Sequence, residues 1–315
     1  LSLSDEIEDN EKVVTMDSFE VIDTLEIQSR TNLGLNNTFD STTRGIPSTE
    51  LIMIGGRRGG GKSVICSNVV ANQYLMGNSS IYFSIEMRAR EVFHRMLANL
   101  SDVPFSKIRN NECSEHELIE LARVKAGMFE DSGPIFSEFL DHKNFSLFER
   151  ELSKHKYLKK NNQIVVIDNE QLSLTDIDTN INNFKNKFGD KLKVVVVDYV
   201  NQIQINDIYE WKQQIFLSKK LKSFAKKYDV IVVAPYQIDK SGEARFAKGI
   251  LDSADVAAII DKGDDYLGLE STKTRNIAPF HFKSQVNWDS LKILPSDHVE
   301  TDPVENTGDD LWVAQ

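Results

Sequence analysis

The chain is poor in cysteine, in long apolar runs and in positive charge. Its 315 residues hold two cysteines, Cys66 and Cys113, with no C-x-x-C or other metal spacing. That pattern excludes a disulfide framework and suits a reducing compartment; both thiols read as buried and structural. No window approaches the roughly 18 uninterrupted apolar residues of a membrane-spanning helix. The opening LSLSDEIEDNEK is acidic where a secretory leader is basic and then apolar. The expected setting is therefore the bacterial cytosol, away from any membrane.

Lysine and arginine number 37 against 48 aspartates and glutamates, for a net charge of −11, which counts against an extended nucleic-acid surface. The excess acid is localised. Residues 1–20 hold seven acids and Lys12, and residues 297–315 hold six acids and no lysine or arginine. Each end therefore carries −6, leaving +1 for residues 21–296. A local basic site on the body is permitted.

Apolar residues make up 40% of the chain, enough for a sizeable core. They recur as the short runs LIMIGG, SIYFSIE, QIVVID, KVVVVDYV, VIVVAP and VAAIID, which read as strands buried on both faces of a parallel sheet. Amphipathic stretches such as KSVICSNVVANQYL and QQIFLSKKLKSFAKKY lie between most of them. This alternation predicts an α/β fold with a mostly parallel central sheet and helices on both faces. After Leu267, LGLEST, PFHFKS and SLKILP read as antiparallel strands at the C-terminal edge. HKYLKKNNQ and TNINNFKNKFGDK read as solvated helix ends and turns.

Directly behind LIMI stands GGRRGGGKSV, in which Gly56 to Ser63 satisfy G-x-x-x-x-G-K-[ST]. Glycines at Gly56, Gly59, Gly60 and Gly61 let successive backbone N–H groups turn inward on a phosphate. The helix that follows, from Lys62 through Val64, adds its positive N-terminus. In such a loop Lys62 reaches the β- and γ-phosphates of ATP and the Ser63 hydroxyl ligates Mg²⁺. A second carboxylate is needed on the metal side. Asp198, closing KVVVVD, fits that role better than its rival Asp168, which closes IVVID. Glu86, at the end of SIYFSIE, is placed for a general base near the γ-phosphate. Gln237, after VIVVAPY, is placed to sense that phosphate on the strand expected beside the Asp198 strand.

Together these segments resemble the RecA-like ATPase domain of ring-shaped replicative helicases of the DnaB type. The marks are RRGGGKS, SIEM, KIR at Lys107–Arg109, VVDYVNQI, VVAPYQI, GILDSADVAAII and KTRN, in family order over about residues 31–295. The resemblance implies that Lys62 and Ser63 bind ATP–Mg²⁺ and that Glu86 is the catalytic glutamate. Asp198 would be the Walker B aspartate and Gln237 the γ-phosphate sensor. It implies that Lys273 and Arg275 in STKTRN enter the neighbouring subunit's site. It aligns DKSGEARFAKG with a channel-facing DNA loop, making Arg245, Lys248 and the Gly249 backbone contacts for single-stranded DNA. The implied assembly is a homo-oligomer, a hexamer, translocating 5′→3′. The compact architecture and Asn/Lys bias point to a phage or similar replicon.

The resemblance sets boundaries: an acidic segment or linker over 1–30, the ATPase domain over 31–296 and an acidic tail over 297–315. About fifty residues precede the glycine loop, too few for the family's N-terminal collar domain. Residues 131–160 read as an insertion containing an amphipathic helix in FSLFERELSKHKYL. That helix and the tails are the candidate contacts for a primase, polymerase or loader. Two other classes stay open: a recombinase or recombination mediator, which would form filaments, and a nucleotide-gated assembly or loader subunit, with slow, DNA-indifferent hydrolysis.

Overall fold

The computed structural model describes residues 29–155, 160, 162–200, 203, 210–238 and 248–298. Strands β1 (Arg30–Thr31) and β2 (Ile46–Pro47) form a small ribbon around helix α1 (Asn37–Thr43). Then come β3 (Leu51–Gly56), α2 (Lys62–Leu75), β4 (Ser79–Ser84) and α3 (Ala89–Ser101). Helices α4 (Phe105–Asn110), α5 (Glu115–Ala126), α6 (Gly133–His142) and α7 (Phe145–Lys154) follow. The chain continues through β5 (Ile164–Asp168), α8 (Leu174–Phe188), β6 (Leu192–Asp198), α9 (Glu210–Tyr228) and β7 (Ile231–Gln237). It closes with β8 (Val256–Lys262), β9 (Tyr266–Thr274), β10 (His281–Asn287) and β11 (Lys292–Asp297).

Among the described residues, β3 to β11 make one nine-stranded sheet in the order β11-β10-β9-β8-β3-β7-β6-β4-β5. From β8 to β5 the pairings are parallel, and β9, β10 and β11 add on antiparallel. The expected α/β sheet with an antiparallel C-terminal edge is observed.

Strand alternation divides the core in two. Leu51, Met53, Ile81, Phe83, Val195 and Val197 face α8 and α9, where they meet Ile177, Ile181, Leu217 and Leu221. Ile52, Ile54, Tyr82, Val194 and Val196 face α2 and α3, where they meet Ile65, Val69, Val92 and Met96. Because both faces are covered, the central strands read as unbroken apolar runs. A smaller core under α5, α6 and α7 holds Ala122, Ala126, Phe139, Phe148 and Leu152. Among its described residues the 131–160 segment thus contains two helices, and the expected amphipathic one is α7.

Three expectations change. TNINNFKNKFGDK is largely the body of α8, since Ile177, Ile181, Phe184 and Phe188 recur every three or four residues and reach the core between the polar positions. Asp297, counted with the acidic tail, is the last residue of β11; its carboxylate accepts bonds from Asn36 at 2.8 Å and Thr38 at 2.6 Å. Cys66 is fully buried, but Cys113 is only half-buried. Residues 299–315 of the tail, the acidic segment before Ser29 and residues 239–247 lie outside the described residues.

The N-terminal edge of the parallel sheet is clasped by Asp255, just before β8. Its buried carboxylate accepts from the Leu51 N–H at 2.9 Å and from Lys222 Nζ at 2.6 Å. Lys222, from α9, also donates to Thr49 O at 2.8 Å. Asp255→Ala would orphan that amide and leave the ammonium without its carboxylate partner, so we expect a loss of about 3 kcal/mol. Urea unfolding should show a lower midpoint with an unchanged slope.

Candidate nucleotide site

The glycine loop joins the C-terminal end of β3 to the first residue of α2. Gly60 N–H donates to Arg57 O at 3.0 Å, closing a tight turn. Gly61 has φ 96°, a left-handed conformation, and a Cβ there would sit 2.9 Å from Leu267 Cδ1. Both facts demand glycine. The geometry aims the α2 N-terminus, with its uncapped N–H groups and positive dipole end, at the loop mouth. Lys62 Nζ lies across that mouth and donates to Gly56 O and Arg57 O, each at 2.9 Å. Burial pushes its pKa down, while Asp198 and Glu86 pull it back up. Val64 packs its side chain into the core, so a ligand meets only its backbone. Lys262, at the end of β8, donates to Gly59 O at 3.2 Å and lies 4.5 Å from the Trp288 ring centroid.

Asp198 ends β6 beside Ser84 of β4, and its backbone carbonyl accepts from Ile85 N at 3.1 Å. The carboxylate is buried and receives a hydrogen bond from the Tyr82 hydroxyl, with the Ser63 hydroxyl a second donor group close by. Burial raises its pKa, and those two donors and Lys62 oppose the rise. Glu86, exposed and two residues past β4, faces the same mouth closely enough to act electrostatically on both Lys62 and Asp198. Gln237 ends β7 in register with Gly56, and Ile238 N donates to Gly56 O at 3.3 Å. Asp168, on β5 at the sheet edge, accepts from Ala89 N at 2.6 Å. It caps α3 instead of joining the loop, which separates it physically from Asp198.

Ser63 and Asp198 present hard oxygen donors side by side at a phosphate-type loop, a set that suits Mg²⁺. Among the described residues no group of three or more His, Cys, Asp or Glu could hold a metal. A Mg²⁺ here would share its coordination with phosphate oxygens and water, as this ion commonly does.

Lys273 and Arg275 lie elsewhere. Thr274 pairs with Val256, which pairs with Ile52, so the pair sits at the N-terminal edge of the sheet. That is four residues, about 13 Å along the strand, from Gly56. Lys273 Nζ donates to Leu251 O at 2.6 Å and Asp252 O at 2.9 Å. Arg275 donates to Asp252 O at 2.8 Å and lies 3.5 Å from the Asp255 carboxylate. Arg245 and the Lys248 side chain lie outside the described residues. Gly249 is in a one-turn 3-10 helix, Lys248–Leu251, packed so closely on α9 that a Cβ would lie 2.4 Å from Ile215 Cδ1.

Sequence reasoning missed Tyr82 and Lys262. The signal for Tyr82 was available: a tyrosine in a strand buried on both faces needs a partner for its hydroxyl. Lys262 carried none, because a lysine at a strand end is ordinarily solvated.

A glycine loop between a central parallel strand and a helix, with a buried aspartate at the same sheet edge, defines a nucleotide-binding domain of the RecA-like fold class. Residues 33–255 match the model of the DnaB-like helicase C-terminal domain. The chain belongs to that family. It is 25% identical to a probable replicative DNA helicase of Trieres chinensis over 263 residues, 78% of this chain and 50% of that protein. It is also 25% identical to the replicative DNA helicase DnaB of Haemophilus influenzae over 238 residues, 73% of this chain and 44% of that one. The chain thus spans about half the length of these relatives. Among solved structures, an isolated ATPase domain superposes with TM-score 0.68 at 16% identity, over 88% of this chain and 95% of that one. A DnaB-like replicative helicase studied for its interactions with primase gives the same TM-score and identity, over 89% of this chain and 66% of that one.

Two outcomes test the site. Gly61→Ala should weaken binding of a fluorescent ATP analogue at least ~10-fold, because it strains φ by roughly 1–2 kcal/mol and shifts the loop against Leu267. Asp168→Ala should cost about 1 kcal/mol of stability through its lost cap and leave nucleotide affinity near wild type, whereas Asp198→Asn should lose Mg²⁺-dependent binding.

Proposed function

We propose that this chain is the motor domain of a ring-shaped replicative DNA helicase that hydrolyses ATP at subunit interfaces and translocates on single-stranded DNA. Supporting this reading is the separation just described. The glycine loop, Ser63, Glu86, Asp198 and Gln237 gather at one edge of the sheet, while Lys273 and Arg275 stand at the other. Within one subunit the two sets do not meet. A neighbour packed edge to edge would bring them together, as in a closed homo-oligomer such as a hexamer.

In the assembled site the loop N–H groups and Lys62 hold the phosphates of ATP. Ser63 and Asp198 would hold Mg²⁺, which when bound would offset phosphate charge. Glu86, exposed beyond the end of β4, takes the proton of the attacking water. Gln237, paired beside Gly56, passes the loss of the γ-phosphate to the segment that follows it. Lys273 and Arg275 of the neighbour neutralise charge developing in the transition state, an effect worth roughly 10³–10⁵ in rate. Arg245, Lys248 and the Gly249 backbone are the proposed contacts with the strand's phosphates, a grip without sequence preference.

Glu86→Gln and Arg275→Ala should each reduce ATPase by at least ~10³-fold. An equal mixture of Lys62→Ala and Arg275→Ala proteins should regain part of it, since a mixed interface pairs an intact loop with an intact cation. Turnover per subunit that rises with assembly and again with single-stranded DNA supports the motor. Failure of the mixture to recover would sink trans catalysis. An open-ended filament would favour recombination chemistry.

A further inference from the structure

Beneath the loop, Tyr82 is fully enclosed, with 0% of its surface exposed. It pairs with Val196 of β6 and lies in the core layer of Ile54, Val64, Ile65 and Met96. Ser84 and Asp198 pair one pleat further along the same two strands, so all three side chains share one face. The phenol therefore runs along the sheet toward the catalytic edge, and its hydroxyl donates to Asp198 Oδ2. Phenylalanine would fill this space equally well, as Phe83 does on the opposite face. The hydroxyl is thus explained by its target, not by packing.

An aspartate has two rotatable torsions and two equivalent oxygens, so a buried carboxylate needs fixed donors to keep one orientation. Tyr82 supplies one, from the sheet below. The Ser63 hydroxyl, in the first turn of α2, belongs to the segment that must accommodate a nucleotide, whereas Tyr82 stands on the rigid sheet. We propose that Tyr82 is a positioning residue for the metal side of the site. It fixes the Asp198 carboxylate in the orientation from which it would hold Mg²⁺ at the loop. The proposal rests on the nucleotide-site reading above. Tyr82 itself, buried under α2, does not touch the nucleotide.

Loss of such an outer partner commonly costs 10–100-fold in metal affinity or activity. The test uses the full chain as wild type, Tyr82→Phe, Tyr82→Leu and Asp198→Asn. Two quantities are read for each: the Mg²⁺ concentration giving half-maximal binding of a fluorescent ATP analogue, and the melting temperature without ligand. Tyr82→Phe should raise the Mg²⁺ requirement about 10-fold while melting close to wild type and keeping its weak metal-free affinity. Tyr82→Leu should raise the requirement equally although it melts much lower, because packing and the hydroxyl are then lost independently. An unchanged requirement in Tyr82→Phe, beside a raised one in Asp198→Asn, overturns the proposal and spares the site. An unchanged requirement in Asp198→Asn overturns the metal-side reading and the proposal with it. A requirement that tracks melting temperature across the tyrosine variants makes Tyr82 merely structural and also overturns it.

Discussion

The pairing of β3 between β7 and β8 is the constraint on which the rest of the molecule depends. Every residue of β3 is buried, and its register sets Gly56 beside Gln237 and Gly55 beside Ile259. A strand held on both edges and covered on both faces has no freedom at its end. The glycine loop therefore leaves the sheet from a fixed point, and α2 must start where that loop allows. Asp198 closes β6 at the same C-terminal edge of the sheet because β6 runs parallel to β7. The site is a consequence of strand register before it is a matter of side-chain chemistry.

The same alternation produces both the apolar core and its polar exceptions. Tyr82, Ser84 and Asp198 occupy the face that otherwise presents Val194, Val196, Ile52 and Ile54 to α2 and α3. Polar groups there are tolerated because each has a partner: Tyr82 bonds to Asp198, and Ser84 bonds to Met87 O at 2.6 Å. Burying the Asp198 charge is unfavourable in itself, as its raised pKa reflects. That cost is consistent with a residue retained for its chemistry and held by its neighbours.

Much of this was legible in the sequence. The glycine loop, the apolar strands and the carboxylates closing SIYFSIE and KVVVVD carry local signals, because loop torsions and two-faced burial each demand particular residue types. Asp168 and Asp198 look alike in sequence, each closing a valine-rich strand. The neighbours of Asp198 in VVDYVNQI favour it, but the physical separation lies in strand order: β5 is the outer strand and β6 is internal, and order is a long-range property no window contains. α8 was misread for a similar reason. Its Asn and Lys residues dominate the composition, whereas the four apolar residues that bury it are decisive only when their spacing meets a sheet. Asp255 gave no signal either, since its role requires Leu51, Lys222 and Arg275 from three distant segments.

Asp255 also bears on how a ring of such domains would work. Its carboxylate holds the first N–H of β3 at one edge of the sheet and neighbours Arg275 there. The other end of β3 is the glycine loop. A fully buried six-residue strand bonded along both sides deforms little, since tight interiors switch between packings more readily than they stretch. The cation pair at one edge and the loop at the other are therefore kept at a nearly constant separation within each subunit. What varies is the relative placement of neighbours. On the proposed reading, whether a site is complete is decided by how adjacent subunits rotate against one another. Nucleotide state would then be communicated around a ring through rigid bodies, with the clasp at Asp255 keeping each body stiff.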